Sequence, residues 1–393
     1  MKTVYVDNNA TTKVAPEVVE AMLPYFSEFY GNPSSMHFFG GQVQKKVNEA
    51  REKVADFLGA EPSEIVFTSC GTESDNAAIL GTLDSYPEKR HFITTRVEHP
   101  AVDNLSTYLG RKGYRVIELS VDREGRLDLD ELRESITEET VLVTIMYANN
   151  ETGVIFPIEE IGEILKARGI PFHTDGVQAA GKIPLNLKKS SIDMLSISGH
   201  KLHAPKGIGV LYIKKGTKFS PFMIGGHQEK GRRGGTENVP YIIGLGKACE
   251  LAKKNLEEEN TRVKALRDYL EAKLLEKIPN TLVNGDRKNR LPNTVSVSFE
   301  YVEGESILLL LSDLGICASS GSACTSGSLE PSHVLRAMGV PFTAAHGSIR
   351  LSLSVYNTKE EMDYIIEHLP PIIQRLRDIS PFWKDYLKSQ GKQ

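Results

Sequence analysis

Short apolar runs alternate with amphipathic segments over residues 15 to 255. The apolar runs have the length and composition of buried strands, and segments between them, such as 47–58 and 158–168, have helical spacing. The candidate strands are 64–68, 91–95, 141–146, 171–175, 193–197 and 208–213. This alternation predicts an α/β fold with a mostly parallel, helix-covered sheet. Ligands of such sheets bind at the carboxyl ends of the strands, so residues just after the strands are the first candidates for chemistry.

A second pattern begins after residue 238. A long helical stretch runs to about residue 277, strands follow near 293–299 and 348–354, and a C-terminal helix begins at 359, which we expect Pro370 and Pro371 to interrupt. We therefore expect two domains. The large domain is formed by 15–255, and a small α+β domain is formed by 1–14 and 256–393, which includes a loop at about 319–330.

Composition narrows the classes of function. The 393 residues carry a net charge of −4, without the basic excess typical of proteins that bind nucleic acid or anionic membranes. No stretch approaches the ~20 apolar residues of a membrane span. The four cysteines are too few and too scattered for a disulfide framework, so we expect a reducing, cytoplasmic setting, and no close spacing of cysteines or histidines predicts a structural zinc site. A small-molecule substrate fits this composition best.

The segment SISGHKLHAPKGIG, residues 196–209, contains the most informative lysine. Lys201 follows the end of a predicted strand, where the sheet opens to its ligand crevice. Lysines are mostly solvated surface residues. Here, however, Ser198 and His200 directly precede it and offer donors suited to a phosphate group. Lys201 is therefore the candidate to form a Schiff base with an aldehyde cofactor, pyridoxal phosphate (PLP).

Asp175 ends the apolar strand in PFHTDGVQAAG, and Gln178 follows three residues later, at a predicted helix start. An aspartate at this place often serves only as a helix N-cap. With a PLP lysine downstream, the carboxylate gains a second role, because pairing with the pyridine nitrogen keeps that nitrogen protonated and makes the ring an electron sink. Gln178 could then bond to the phenolic oxygen of the ring.

Three further strand ends carry polar residues. His99 follows one strand and precedes a proline at a helix start. A lone histidine is more often structural, yet imidazole can stack on a cofactor ring and move protons near neutral pH. Asn150 follows another strand, in YANNETG. Gly71 and Thr72 lie between a strand and a helix, where free amides and a hydroxyl suit a phosphate.

Cys324 lies in CASSGSACTSGS, residues 317–328, a stretch of small and hydroxylic residues. This composition predicts a surface loop, because it offers little apolar area to offset the entropy of ordering. A thiol exposed on such a loop is expected to be reactive or regulatory. Cysteine is otherwise a small core residue, an interpretation that suits Cys249 and Cys317 and that we also favour for Cys70.

Arg350 lies in the alternating segment GSIRLSLS. Arginine is the natural bidentate partner of a substrate carboxylate, although a surface arginine that pairs across strands is an equal alternative. The glycine- and arginine-rich segment 225–238 indicates a phosphate-binding loop that reaches a neighbouring subunit.

Together these segments resemble the cysteine desulfurases of the NifS/IscS type, which belong to the aspartate-aminotransferase-like, fold type I PLP enzymes. The resemblance runs over nearly the whole chain, through YVDNNATT, GNPSS, TESDN, EHPAV, NNETG, DGVQ, SGHKLHAPKGIG, RGGTEN, SSGSACTSGSLEPSHVLRAMG and GSIRLSLS. It implies a mostly parallel seven-stranded sheet in the large domain. It also implies removal of sulfur from L-cysteine to give L-alanine, with the sulfur held on Cys324 as a persulfide and passed to iron–sulfur cluster assembly.

The resemblance assigns three residues to catalysis: Lys201 binds PLP covalently, His99 stacks on the ring, and Cys324 forms the persulfide. Asp175 is implied at the pyridine nitrogen. The protein is implied to be a homodimer, with an iron–sulfur scaffold protein of the NifU/IscU type as sulfur acceptor. No resident metal is implied, although Cys324 can ligate a transient iron–sulfur cluster together with the scaffold.

The remaining implied residues bind the cofactor or the substrate. They contact, in turn, the phenolic oxygen (Asn150 and Gln178), the phosphate (Gly71, Thr72, Ser198, His200 and the partner's Thr236) and the substrate carboxylate (Arg350 and Asn32). Two classes of alternative stay open: another PLP enzyme of the same fold, and a sulfur carrier or scaffold subunit that binds partners without turnover. A selenocysteine lyase could share every residue named, whereas an aminotransferase for small amino acids would not need Cys324. A sulfur carrier without turnover would need neither Lys201 nor Asp175.

Overall fold

The computed structural model describes residues 3–320 and 331–391. Within them the strands are β1 (Val4–Tyr5), β2 (Ile65–Thr68), β3 (His91–Thr95), β4 (Arg115–Leu119), β5 (Thr140–Thr144), β6 (Phe172–Asp175), β7 (Met194–Ser198), β8 (Gly209–Ile213), β9 (Thr281–Val283), β10 (Thr294–Phe299), β11 (Ile316–Cys317) and β12 (Ser348–Ser352). The α-helices are α1 (Pro16–Met22), α2 (Pro24–Ser27), α3 (Phe38–Leu58), α4 (Gly71–Ser85), α5 (Pro100–Arg111), α6 (Leu129–Ser135), α7 (Ile158–Lys166), α8 (Val239–Glu258), α9 (Lys264–Lys277), α10 (Gly304–Asp313), α11 (His333–Ala337), α12 (Phe342–Ala345), α13 (Lys359–Ile379) and α14 (Pro381–Ser389).

Seven of these strands form the central sheet, in the order β2-β8-β7-β6-β5-β3-β4. Strand β8 is antiparallel to both of its neighbours, and the other pairings are parallel. The predicted α/β class with a mostly parallel seven-stranded sheet is therefore confirmed. The edge strand β4 was absent from the candidate strands, because its exposed Arg115 and Glu118 break the apolar run that marks a buried strand.

Helices cover both faces of this sheet. All residues of β5, β6 and β7 are buried, as expected for parallel strands between two helical layers. Side chains on one face pack against α4 and α5, and those on the other face pack against α3, α7 and α8. Burial on both faces holds the ends of these strands in fixed positions, and the candidate site residues follow those ends.

A separate apolar core lies in the second half of the chain. It joins residues of α9, α10 and α13 to the antiparallel strands β12 and β10, and β1 contributes Val4. Not all of the C-terminal half belongs to this core, because Val334 and Leu335 of α11 pack with the core of the large sheet. The division into domains at 15–255 and at 1–14 with 256–393 stays a prediction.

Helix α13 corrects one expectation. Pro370 and Pro371 lie inside this helix and do not interrupt it. Each proline removes one backbone donor from the helix. The helix persists because it buries a long apolar stripe, which includes Ile365, Leu369 and Ile373, and because Thr358 and Glu361 form a capping box at its start. Tertiary packing here outweighs local preference.

Among the helices of 3–320 and 331–391, none is both long and apolar enough to cross a bilayer. Cys249 is fully buried in α8 and Cys317 is half-buried in β11, which agrees with their expected role as small core residues. The cytoplasmic location stays a prediction.

Gly209 lets β8 approach the turn before α4. A Cβ on Gly209 would lie 2.7 Å from the carbonyl carbon of Cys70 and 2.8 Å from the Thr68 hydroxyl oxygen. The Cys70 carbon belongs to the backbone, and Thr68 is the last residue of the buried strand β2. A side-chain rotation at Cys70 therefore cannot relieve the contact. The absence of a side chain at this position thus sets the spacing between β8 and the start of α4.

We predict that Gly209→Ala lowers the free energy of unfolding by about 1–3 kcal/mol, because the strand pair must shift to admit the methyl group. Urea unfolding of the purified variant measures this loss. Gly110→Ala in α5 is the matched control, since a Cβ there would meet no atom within 4 Å. It should leave stability unchanged or raise it by up to ~1 kcal/mol. Equal stability of the Gly209 variant and wild type would contradict the packing argument.

Candidate active site

A cavity of about 310 Å³ lies where β3, β5, β6 and β7 end and α4 begins. Ten of the residues singled out from the sequence line it: Gly71, Thr72, His99, Asn150, Asp175, Gln178, Ser198, His200, Lys201 and Arg350. Asn32 and Thr236 are exposed and do not line it in this single chain. Cys324 lies outside the described residues. The sheet therefore brings the strand-end residues together, while the contributions expected of Asn32 and Thr236 stay predictions.

Lys201 ends a short 3-10 turn, Gly199–Lys201, that directly follows β7. Its Nζ donates hydrogen bonds to the backbone carbonyls of Asn9 and Ala10, the latter at 2.7 Å. The side chain is only partly exposed and faces the cavity. The solvated-surface interpretation of this lysine is wrong, because the amine is held inside the cavity wall.

Asp175 ends β6 and is buried. The Val177 amide donates to its Oδ1 at 2.9 Å, and among the described residues this is the one hydrogen bond that its carboxylate accepts. Residues after it form a turn and not the predicted helix at Gln178, so Asp175 caps no helix. Burial raises the pKa of Asp175, against the opposing effects of His99, of the Val177 amide and of Lys201. This carboxylate can be stabilised as an anion by a cation placed in the cavity.

His99 is the N-cap of α5. Its Nδ1 accepts a hydrogen bond from the Ala101 amide at 3.2 Å, so the neutral ring carries its proton on Nε2. Burial lowers the pKa of His99, and the positive charges of Lys201 and His333 lower it further, while Asp175 acts in the opposite direction. The imidazole is therefore neutral near pH 7, with Nε2 as its donor.

The start of α4 forms an anion-binding end of the cavity. No described residue accepts a hydrogen bond from the amides of Gly71 and Thr72, which open the helix. A Cβ on Gly71 would come within 3.3 Å of the Cβ of Ser198, so glycine keeps this end open. Burial, assisted by nearby Lys201, lowers the pKa of His200 to about 4, which leaves a neutral imidazole beside these donors.

Arg350 is almost fully buried in β12, so the surface interpretation of this arginine is wrong. Its Nη1 donates to the Asn150 carbonyl at 3.1 Å, and its Nη2 lies 3.0 Å from the carboxylate of Asp7. Its buried Nε has no hydrogen-bond partner among the described residues. The guanidinium is therefore fixed in position at the cavity wall, and its type of group suits a small carboxylate.

Four polar side chains that line the cavity were not among the residues predicted from the sequence: Asn9, Asp75, Glu151 and His333. Asn9 joins two predicted residues, because its carbonyl accepts from Gln178 at 3.0 Å and its amide donates to the Asn150 carbonyl at 3.1 Å. Burial, together with the charge of Asp175, raises the pKa of Asp75. The motifs that include these residues were noted, but no spacing distinguished Asn9 from the equally buried Asn8. Ser332 before His333 did carry a usable signal, that of a helix N-cap.

Cys70 also corrects an expectation. It was interpreted as a packing residue, but it is half-buried on the cavity wall. Its Sγ accepts a hydrogen bond from the Glu73 amide at 3.4 Å and so caps α4. Its position beside the anion-binding end follows from this capping role.

Comparisons with known proteins agree with this geometry. The family model of the class-V aminotransferases matches residues 4–365, and the chain belongs to this family. A cysteine desulfurase of Trichormus azollae is 64% identical over 98% of this chain and 96% of its own length. The cysteine desulfurase NifS of Azotobacter vinelandii is 59% identical over the same shares of the two chains. A solved NifS-like protein superposes with a TM-score of 0.90 at 42% identity, over 95% of this chain and 100% of its own. The resemblance stated from the sequence is thereby confirmed.

Class-V aminotransferases and their cysteine desulfurase members are PLP-dependent, and the cavity fits that cofactor. The free amides of the first turn of α4 suit a phosphate. The sparsely bonded carboxylate of Asp175 suits a cationic ring nitrogen, and the amine of Lys201 suits an aldehyde. These three requirements are met on different walls of one cavity.

Glu98, next to His99, is a buried acid whose titration should be measurable. Burial raises the pKa of Glu98 to about 8 from the ordinary 4.5, against hydrogen bonds from the Met146 amide and the Thr95 hydroxyl. The folded protein thus retains a proton that the unfolded chain releases. The contribution of Glu98 to stability is full below about pH 4.5 and is lost as the pH rises through about 8.

We predict that Glu98→Gln weakens the fall in the free energy of unfolding with rising pH, because a neutral amide can occupy the site without titrating. Urea unfolding of the cofactor-free protein between about pH 5 and about pH 9 should show the variant gaining on wild type by a few kcal/mol at the alkaline end. A constant difference in stability across this range would contradict a raised pKa for Glu98.

Proposed function

We propose that the protein is a PLP-dependent cysteine desulfurase that converts L-cysteine to L-alanine and retains the sulfur as a persulfide on Cys324. The observation that carries the proposal is the convergence of Lys201, Asp175 and His99 on one cavity that also has an anion-binding helix start. The full-length similarity to proteins named cysteine desulfurase supports the choice of substrate.

In this proposal the cofactor is held at five points: its aldehyde carbon, ring nitrogen, ring face, phenolic oxygen and phosphate. Lys201 would bind its aldehyde carbon, and Asp175 would pair with its ring nitrogen while His99 lies against the ring. Asn150 and Gln178 would contact its phenolic oxygen. The phosphate would be held by the amides of Gly71 and Thr72, by the side chains of Thr72, Ser198 and His200, and by Thr236 of the partner subunit.

When bound, PLP withdraws electrons from the α-carbon of an amino acid and so acidifies its α-proton. The Lys201 amine would accept that proton, since it lies where the cofactor aldehyde must bind. The neutral His99 would move protons at Nε2, the atom left free by the Ala101 amide. Arg350 would bind the substrate carboxylate with its fixed guanidinium, assisted by Asn32, and this orients the substrate sulfur away from the carboxylate site.

Cys324 would act as the sulfur acceptor. Its thiolate forms a bond to the substrate sulfur as the bond between that sulfur and the β-carbon breaks, and the β-carbon keeps the electron pair and then takes up a proton. The products are alanine and a persulfide on Cys324, so no external oxidant or reductant is needed. The persulfide would pass its outer sulfur to an iron–sulfur scaffold protein of the NifU/IscU type, where Cys324 can also share a transient cluster.

We predict that Cys324→Ala binds PLP with wild-type absorbance and affinity but loses more than about 100-fold in alanine formation from L-cysteine, because the nucleophile is removed. Alanine and sulfide are measured in the same samples. Cys317→Ala is the matched control, since Cys317 is a half-buried strand residue away from the cavity, and it should retain turnover.

Retained alanine formation by the Cys324 variant would refute the assignment. Wild-type protein that yields no alanine from L-cysteine would refute the proposed function, and turnover of selenocysteine alone would favour the lyase alternative. The identity of the acceptor is tested by supplying cysteine labelled at sulfur and then adding a scaffold protein. The sulfur label should leave Cys324 and appear on the scaffold protein.

We also propose that the protein acts as a homodimer in which Thr236 completes the neighbouring site. Exposed apolar side chains are concentrated in residues 23–38: Leu23, Phe26, Phe29, Tyr30, Met36 and Phe38. Within this stretch the rings of Tyr30 and Phe38 both contact the ring of Phe39. The ring of Phe26 lies 6.4 Å from that of Tyr241 in the first turn of α8. Such a patch on a folded chain is typical of a surface that is covered by a partner.

Mixed dimers test the exchange of Thr236. We predict that Thr236→Ala weakens PLP binding about 10-fold, because one hydrogen bond to a charged group is lost. In a mixed dimer, one subunit carries Thr236→Ala and the other carries Lys201→Ala. Only the first subunit keeps its lysine, and its site receives the native threonine from the second subunit. Wild-type PLP affinity at that site is expected. Affinity as weak as in the Thr236→Ala homodimer would place the threonine in its own subunit's site and contradict the exchange.

A further inference from the structure

The ten residues that include Cys324, 321–330, are flanked on both sides by residues bonded to the cavity wall. On the N-terminal side, Ser319 pairs with Arg350 through two backbone hydrogen bonds, of 2.7 Å and 3.3 Å. On the C-terminal side, the Ser332 hydroxyl donates to the carboxylate of Glu151. One flank is thus attached to the strand of the candidate carboxylate-binding arginine, and the other to a buried acid of the cavity.

Glu151 is itself firmly placed. It is buried, and it follows β5 in a turn where the Asn149 side chain accepts from the amides of Glu151 and Thr152, both at 2.9 Å. Its neighbour Asn150 lines the same cavity. The carboxylate of Glu151 therefore has little freedom to follow Ser332 if the flank moves, and it acts as a fixed anchor.

Ser332 connects this anchor to helix α11. Its hydroxyl oxygen also accepts hydrogen bonds from the amides of Val334 and Leu335, at 3.1 Å and 3.3 Å. A second bond reinforces the attachment, because His333 Nε2 lies 2.9 Å from the carbonyl oxygen of Glu98. A helix of five residues has little stability of its own, so contacts with the rest of the chain set its position.

We propose that Glu151 is a positioning residue for the sulfur-transfer step: through Ser332 it fixes the C-terminal flank of the Cys324 segment to the cavity wall. The bond fixes Ser332, the point at which this flank leaves the cavity wall, and a fixed end lowers the entropy lost when the Cys324 thiol meets the substrate sulfur. The inference rests on the proposed role of Cys324. It adds a residue that acts on the transfer of sulfur from the substrate to Cys324 and not on cofactor binding.

The fold does not depend on this bond. Val334 and Leu335 pack in the large core and would hold α11 approximately in place without it. Loss of the anchor should therefore displace the flank without unfolding the protein. Ser332 does not line the cavity, so Ser332→Ala removes the bond without touching substrate or cofactor.

The test separates two stages in rapid mixing with L-cysteine. The absorbance change of bound PLP reports substrate binding, and quenched samples report alanine formed in a single turnover. Ser332→Ala should keep the first stage within about 2-fold and slow the second by about 10- to 100-fold, and Glu151→Ala, which also changes the cavity lining, should slow the second stage at least as much. The double variant should be no slower than the slower single variant, because both remove the same bond. Glu151→Gln, whose carbonyl oxygen can still accept from Ser332, should fall between wild type and Glu151→Ala.

Hydrogen exchange of the cofactor-free protein gives a readout independent of activity. Amides at the start of α11 should exchange faster in Ser332→Ala and Glu151→Ala than in wild type. Glu64→Ala is the matched control, because Glu64 is a buried acid that accepts from the Lys215 amide at 2.9 Å and does not line the cavity. It should leave exchange at α11 unchanged.

Alanine formation at the wild-type rate in both anchor variants would overturn the proposal. Parallel loss of the two stages, with loss of bound PLP, would also overturn it, because that pattern marks a structural defect. Failure of the proposed function is distinguishable, since the wild-type protein would then make no alanine. In that case unchanged exchange at α11 would still reject the anchor, and faster exchange would support it.

Discussion

The negative charge of Asp175, buried at the end of β6, is the constraint on which the site depends. Removal of a carboxylate from water is unfavourable unless a cation or several donors replace the lost hydration. Here one backbone amide donates to it, and its pKa is raised. The pKa values of neighbouring groups respond to the same setting: burial and the charge of Asp175 raise the pKa of Asp75, and burial lowers the pKa of His99. In the proposed complex, the cationic ring nitrogen of PLP would lie beside Asp175 and compensate this negative charge.

The sheet supplies the precision that this arrangement needs. Lys201, Asp175, His99 and Asn150 lie at or after the ends of four different strands, so the sheet sets where each of their segments begins. Three of these strands are buried on both faces, which leaves them little freedom to move. The start of α4 is placed by the same sheet, because β8 packs against the turn before it at Gly209. An amine, a carboxylate, an imidazole and an amide thereby line one cavity of about 310 Å³.

The buried strands and the residues that follow them could be predicted because apolar runs and strand-end polar residues are local signals. Asp175, His99 and Lys201 were found in this way. Edge strand β4 is not predicted because two of its five side chains, Arg115 and Glu118, are exposed and break the apolar run. The prolines of α13 predict a break because local helix preference does not include the packing of Leu369 and Ile373. The helix expected at Gln178 is a turn.

Residues that act through tertiary contacts could not be found from sequence spacing. Glu151 and Ser332 are separated by 181 positions, and their bond depends on how α11 packs on the large core. The same holds for Asn9, which reaches Gln178 and Asn150 from the N-terminal segment. Thr236 and Asn32 illustrate a different limit, because a single chain leaves both exposed and their expected contacts depend on a second subunit or on the substrate.

The central claim is that the lysine after β7 forms the covalent link to the cofactor opposite the buried carboxylate of Asp175. Borohydride reduction of the PLP-loaded protein, followed by peptide mass mapping, tests it most directly, because reduction fixes the link in place. The account predicts one modified lysine, Lys201, on the peptide that follows β7. Modification of another lysine such as Lys182 or Lys206, or none at all under conditions where PLP is bound, would contradict it.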